Sequence, residues 1–239
     1  MRIGNDLVDL RARDAAGKAR DTRFVARVFT ASEAARIDGS THPDSTLWML
    51  WAAKEAAYKV AKKLRADAIF AHSAYEVVPD SSPHTIDPTG ISRRCGGQVR
   101  MHGLPGLDGL CFPVEWELTP SFVYCVAIEV GGDPRSVKTA IATREELDRV
   151  SSLYEPTERE RASVRSPQSL AVRRLARKLA AEAGLGEVEV VRERDGTTFG
   201  PPRLYPAGGT HPLSGWDITL SHDGELAAAA LSGLATLLR

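Results

Sequence analysis

The clearest periodic signal in the chain is LWMLWAAKEAAYKVAKKL at residues 47–64. Apolar residues return there every three to four positions, and no Gly or Pro interrupts the run, so it reads as one long helix ending near Arg65. The preceding HPDST places Asp44 or Ser45 as its cap. Upstream, RIGNDLVDL is a short apolar strand and residues 15–28 read as a helix. Thr30, with Glu33 three residues on, forms a capping box that opens another helix. From Ile69 the period changes. AYEVVP, GQVRMH and PVEWELTP are strands, the last alternating apolar and polar as a half-buried strand does. SFVYCVAIEV is apolar at nearly every position and reads as a central strand. Residues 80–113 are rich in Pro, Gly and Ser, and GGDP at 131–134 is the strongest break.

Beyond the break the pattern runs through a similar set of elements. SVKTAIA is a strand, Thr143 and Glu146 form a second capping box before REELDRVSSL, and SLAVRRLARKLAAEAG is a basic helix with Gly184 as its C-cap. EVEVVRER is a strand, and GTTFGPPRL is a turn leading into another. WDITLSH and ELAAAALSG read as a hairpin, although the alanine run also suits a helix. SFVYCVAIEV and ELAAAALSG close their halves alike. The expectation is an α+β fold of two similar halves, 1–131 and 136–239, related by a pseudo-two-fold axis.

Composition narrows the class. The chain has 239 residues, with 31 basic and 31 acidic side chains and 43% hydrophobic content. A zero net charge argues against a protein that wraps nucleic acid, and no apolar run reaches the roughly 18 residues of a membrane span. Charges inside MRIGNDLVDL argue against a signal peptide. Cys95, Cys111 and Cys125 form no CxxC pair, which fits reduced, mostly buried thiols and a cytoplasmic location.

Candidate chemistry gathers at a few positions. Asp6 ends a short strand and Glu55 lies mid-helix; if strand and helix pack, the two carboxylates converge. Two carboxylates plus substrate phosphate oxygens suit Mg²⁺. Lys59 is one turn beyond Glu55, on the same helix face, in reach of a phosphate oxygen, with Trp51 and Tyr58 beside it. Taken alone, Glu55 and Lys59 are also the spacing of a solvated salt bridge worth about 0.3–0.5 kcal/mol, and Asp9 competes with Asp6 as the carboxylate. Ser221-His222 ends the strand ITLSH, where a polar pair suits phosphate contacts or a purely structural role. Arg159, Arg161, Arg165, Arg173, Arg174, Arg177 and Lys178 make the most basic region, mostly a solvated helix face with room for an anion contact.

In order along the chain, Ile3-Gly4-Asn5-Asp6, Phe29-Thr30 with Ser32-Glu33, Trp51-Ala-Ala-Lys54-Glu55-Ala-Ala-Tyr58-Lys59, Gly200-Pro201-Pro202 and Leu220-Ser221-His222 resemble the motifs of the 4′-phosphopantetheinyl transferase superfamily. In its long, surfactin-type members the Ser-His half comes first; here the halves look swapped, as in a circular permutation. The short, acyl-carrier-protein-synthase type has about half this length and builds its site between protomers. The chain thus resembles a monomeric pseudo-dimer with the site between its halves.

The resemblance implies transfer of phosphopantetheine from coenzyme A to a serine of an apo acyl or peptidyl carrier protein, Mg²⁺-dependent, in the manner of a holo-[acyl-carrier-protein] synthase serving fatty-acid, polyketide or peptide synthesis. Asp6 and Glu55 are then the metal ligands, and Glu55 and Lys59 the catalytic pair. Lys54, Lys59, Ser221 and His222 become the coenzyme A contacts. Two positions depart from the family: Val8 stands where long-type members carry a second acid, and Pro201 where they carry a lysine, with Arg161 or Arg165 as the expected replacement. An acidic carrier calls for a basic and apolar surface, expected from residues 60–70. The alternative is a relative that binds coenzyme A or a carrier protein without catalysis.

Overall fold

The computed structural model describes residues 1–80, 93–149 and 155–233. The first strand, β1 (Ile3–Asp9), is followed by a 3-10 turn at Lys18–Arg20 and three helices, α1 (Thr22–Val28), α2 (Ala31–Asp38) and α3 (Pro43–Leu64). Strands β2 (Tyr75–Pro79), β3 (Arg93–Met101), β4 (Cys111–Leu118) and β5 (Phe122–Ile128) complete an antiparallel sheet of order β1-β5-β4-β3-β2. Then come β6 (Lys138–Thr143), α4 (Arg144–Arg149), α5 (Glu158–Arg161), α6 (Pro167–Glu182), β7 (Val188–Asp195), β8 (Thr198–Pro206), β9 (Trp216–Asp223) and β10 (Leu226–Gly233). These strands form a three-stranded sheet, β6-β10-β9, and a β7-β8 hairpin.

Helix α3 covers one face of the large sheet and α6 one face of the small sheet, each over its own core. The uncovered faces pack on each other. Ile3, Leu7, Tyr124, Val126 and Ile128 meet Val137, Leu226, Ala228 and Ala230 there. This explains the continuous apolar runs. In β5, Val123, Cys125 and Ala127 face the helix side and Tyr124, Val126 and Ile128 the opposite sheet. In β10, Ala227, Ala229 and Leu231 face α6 while Leu226, Ala228 and Ala230 face the large sheet. A strand buried on both sides cannot show alternation, and its small side chains let two layers close on it.

The outer edge of β1 is sealed by side chains from β9. The amides of Ile3, Asn5, Leu7 and Asp9 donate to Asp217 Oδ2, Thr219 Oγ, Ser221 Oγ and Asp223 Oδ2 at 2.7, 3.3, 3.1 and 2.8 Å. Every rung has the same sequence separation of 214, so the two strands run parallel without a ladder between them. Lys63 Nζ joins the seam, donating to the Ile3 carbonyl, Asp217 Oδ2 and the Ile218 carbonyl. An open edge with unpaired backbone groups thereby becomes the joint between the sheets.

Some local expectations need correction. Gly17, at φ 75°, interrupts the segment expected as a helix over 15–28, so helix begins only at Thr22, capped by Asp21. Neither Asp44 nor Ser45 caps α3. His42 holds that position without a side-chain bond, and Asp44 instead accepts the amides of Gly17 and Ala19. GTTFGPPRL is strand rather than turn: the turn is Gly196-Thr197, and the prolines sit in a two-stranded sheet whose outer edge asks for no N–H. The capping boxes at Thr30 and Thr143 are formed. The last residues of REELDRVSSL lie outside the described residues.

Candidate active site

Helix α3 is the frame of the site. Ala52, Ala53 and Ala56 are fully buried, and these small side chains let β1 lie close. Gly4 is the point of approach: a Cβ built on it would stand 1.9 Å from the Ala56 carbonyl oxygen. Side chains alternate along a strand, so Asp6 faces the helix as Gly4 does. Lys59 Nζ donates to Asp6 Oδ1 at 3.0 Å and to the Asn5 carbonyl at 2.6 Å. From β9, Ser221 Oγ donates to the same Asp6 Oδ1 at 3.0 Å.

Glu55 shares this site. Burial first, and then the Asp6 charge, push its carboxyl up to about 7, against the pull of Lys59. Burial and then the Lys59 charge hold the His222 imidazole below its ordinary value, although Asp223 and Asp6 pull the other way.

Glu55, Lys59, Leu220 and His222 form a common wall between two cavities of about 430 Å³ each. The first is acidic and aromatic, with Asp6, Asp14 and Asp223 opposite Phe24, Trp48 and Trp51. The second is cationic, with Lys62, Lys63, Arg173 and Arg192 beside Tyr58, Phe199, Pro201 and Pro202. The chain therefore presents a cation-lined chamber and a carboxylate-bearing chamber that share one lysine, one glutamate and one histidine.

Asp6, Glu55, Lys59, Ser221 and His222 are brought together, but Lys54 is not among them. It is fully buried on another side of α3, where Nζ donates to Glu33 Oε2 at 2.7 Å and to the carbonyls of His72 and Tyr75. Glu33 in turn accepts the amides of Thr30 and Val77. Lys54 is thus a structural residue with no route to a phosphate. The Phe-Thr-x-Ser-Glu segment serves the same purpose, because its glutamate is that lysine's counter-ion.

Arg161 and Arg165 line neither cavity. Arg161 Nε donates to the Pro156 carbonyl, and the Arg165 guanidinium lies 5.3 Å from the Phe199 ring. The cation at the expected place is Arg192, which pairs with Pro202 across the hairpin and donates to the carbonyls of Gly200 and Phe199. Lys62 and Lys63 were visible one turn beyond Lys59. Arg192 was not, because only the β7-β8 register sets it opposite Pro202. The expected basic surface at 60–70 is neutralised in part. Lys63 is held by Asp217 and Arg65 pairs with Asp67, while Lys62 keeps its charge as it donates to the Ala66 and Ala68 carbonyls, and Leu64 and Ile69 are exposed apolar groups.

Residues 2–86, which carry Asp6, Glu55 and Lys59, match the family model described as the 4′-phosphopantetheinyl transferase superfamily. The likeness of the chain to this superfamily rests on that segment. The match includes β1, α2 and α3 and ends before the second half. No individually curated protein matches the chain.

Phosphopantetheinyl transfer is the chemistry of this superfamily, with coenzyme A as substrate and typically Mg²⁺. The donor set fits a hard cation: Asp6 and Glu55 are carboxylates in one cavity, and Mg²⁺ takes one or two of these plus waters and phosphate oxygens. Val8, two residues past Asp6, is packed in the first core and adds no carboxylate. No three His, Cys, Asp or Glu side chains among the described residues gather as a metal cage. No helix there is long and apolar enough to cross a membrane.

Proposed function

We propose that the protein transfers 4′-phosphopantetheine from coenzyme A to a serine hydroxyl of an apo carrier protein, releasing adenosine 3′,5′-bisphosphate. The observation that carries the reading is the shared wall: Glu55, Lys59 and His222 separate a cationic chamber from an acidic one. The cationic chamber suits the phosphates of coenzyme A, with Lys59, Lys62, Arg192 and His222 as contacts and Tyr58 and Phe199 as apolar surface. The carrier serine approaches from the side of Asp6.

Asp6 and Glu55 would hold Mg²⁺, which when bound supplies positive charge against the pyrophosphate oxygens. Glu55, with a carboxyl titrating near 7, is suited to take the serine proton. Lys59, which lines both cavities, would stabilise the leaving phosphate.

The two halves, 1–131 and 136–239, are read as pseudo-two-fold partners in one monomeric chain. Each has a helix on one face of a sheet whose inner strand, β5 or β10, is apolar on both faces. The test is incubation with coenzyme A, Mg²⁺ and a panel of acyl and peptidyl carrier proteins, followed by mass spectrometry of the carrier serine. A phosphopantetheine adduct that disappears in Glu55→Ala is the expected result. Coenzyme A binding with no adduct on any carrier would leave a binding protein without catalysis.

A further inference from the structure

The four β9 side chains that seal β1 are not equivalent. Asp217, Thr219 and Asp223 each cap an amide, as Ser221 does, but Ser221 alone also reaches the Asp6 carboxylate. A hydroxyl has one hydrogen and two lone pairs. The Leu7 N–H can only donate, so it takes a lone pair of Ser221 Oγ at 3.1 Å. The Asp6 carboxylate only accepts, so it takes the hydrogen at 3.0 Å. Ser221 is 7% exposed and has no hydrogen left to give a phosphate oxygen. Its bond and that of Lys59 both fall on Asp6 Oδ1, while among the described residues Oδ2 has no hydrogen-bond partner.

From this geometry we infer that Ser221 is a positioning residue for the Asp6 carboxylate rather than a coenzyme A contact. It is the link by which the second half fixes the rotamer of a metal ligand carried by the first, with His222 alone facing the phosphates. The inference rests on the reading of Asp6 as a Mg²⁺ ligand.

The test compares Ser221→Ala, Ser221→Thr and Thr219→Ala in the full chain. Mn²⁺ binding is followed by electron paramagnetic resonance and coenzyme A binding by calorimetry in chelator. Ser221→Ala should weaken Mn²⁺ binding about tenfold, as loss of an outer-shell partner to a metal ligand does, with coenzyme A affinity unchanged. Ser221→Thr keeps the hydroxyl and should restore Mn²⁺ affinity. Thr219→Ala removes the neighbouring rung without touching Asp6 and should leave Mn²⁺ affinity alone.

Weaker coenzyme A binding with normal Mn²⁺ affinity in Ser221→Ala would overturn the inference. So would an equal loss of Mn²⁺ affinity in Thr219→Ala, which would assign the effect to the seam as a whole. Absence of transfer by the unaltered protein counts against the proposed function alone. Intact transfer with unchanged Mn²⁺ affinity in Ser221→Ala counts against this inference alone.

Discussion

Glu55 pays for its place at the wall with a carboxyl that resists ionisation. Its folded value of about 7 stands above the ordinary 4.5, chiefly through burial. A carboxyl raised in the folded state contributes stability that is full below the unfolded value and lost as pH rises through the folded one. In chelator, Glu55→Gln should therefore melt a few degrees above the unaltered protein at pH 8 and nearly with it at pH 5; equal differences at the two pH values would contradict the assignment. Arg192 offers a second test at this scale. Arg192→Ala should weaken coenzyme A binding about tenfold, the loss expected of a charge-assisted phosphate contact. Arg161→Ala, outside both cavities, should leave it unchanged in the same titration.

Helix α3 carries two lysines five residues apart with opposite fates. Lys59 faces β1 and the cavities. Lys54, on another side, is buried against Glu33, and burial holds its ammonium below the usual range while Glu33 pulls it back up. Removing one member of a buried pair strands the other, at a cost of about 3–5 kcal/mol. Lys54→Met should show that loss in urea unfolding. Lys54→Met with Glu33→Gln should recover part of it, since the amide strands no charge. The folded fraction of either variant should keep its coenzyme A affinity, whereas a phosphate-binding Lys54 would lose it. The helix sequence held all of these residues in view, but one pattern of lysines and a glutamate supports either partner choice; the choice was made by α2 and β2 packing on one side and β1 on another.

At the scale of the molecule, the joint lies along β1 and β9. Ile3 is bonded to Asp217, and Asp217 pairs with Ser232 near the end of β10. The start of the first strand and the end of the last are therefore neighbours, as a swapped order of halves requires. A chain opened within GGDP, starting at Asp133 and ending at Gly132, with a short glycine-serine linker from residue 239 to Met1, should fold and transfer phosphopantetheine. Circular dichroism and the carrier assay check both points, and an unfolded or inactive permutant would argue against interchangeable halves.

What could be read along the chain is local or pairwise at short range. It included the period of α3, the capping boxes at Thr30 and Thr143 and most of the strands, and it offered Asp6, Glu55, Lys59 and Ser221-His222 as candidates that the fold brings into one cavity. Backbone hydrogen bonding and side-chain periodicity act over a few residues, so they leave a readable trace. Which cations line a chamber was decided in three dimensions, because the hairpin register sets Arg192 opposite Pro202 and Arg161 turns to the Pro156 carbonyl. The same holds for the pairing of Lys54 with Glu33 and for the bond from Ser221 to Asp6. Those outcomes depend on which faces meet between segments distant in sequence, 214 residues apart at the β1-β9 seam, and no pattern along the chain records that meeting.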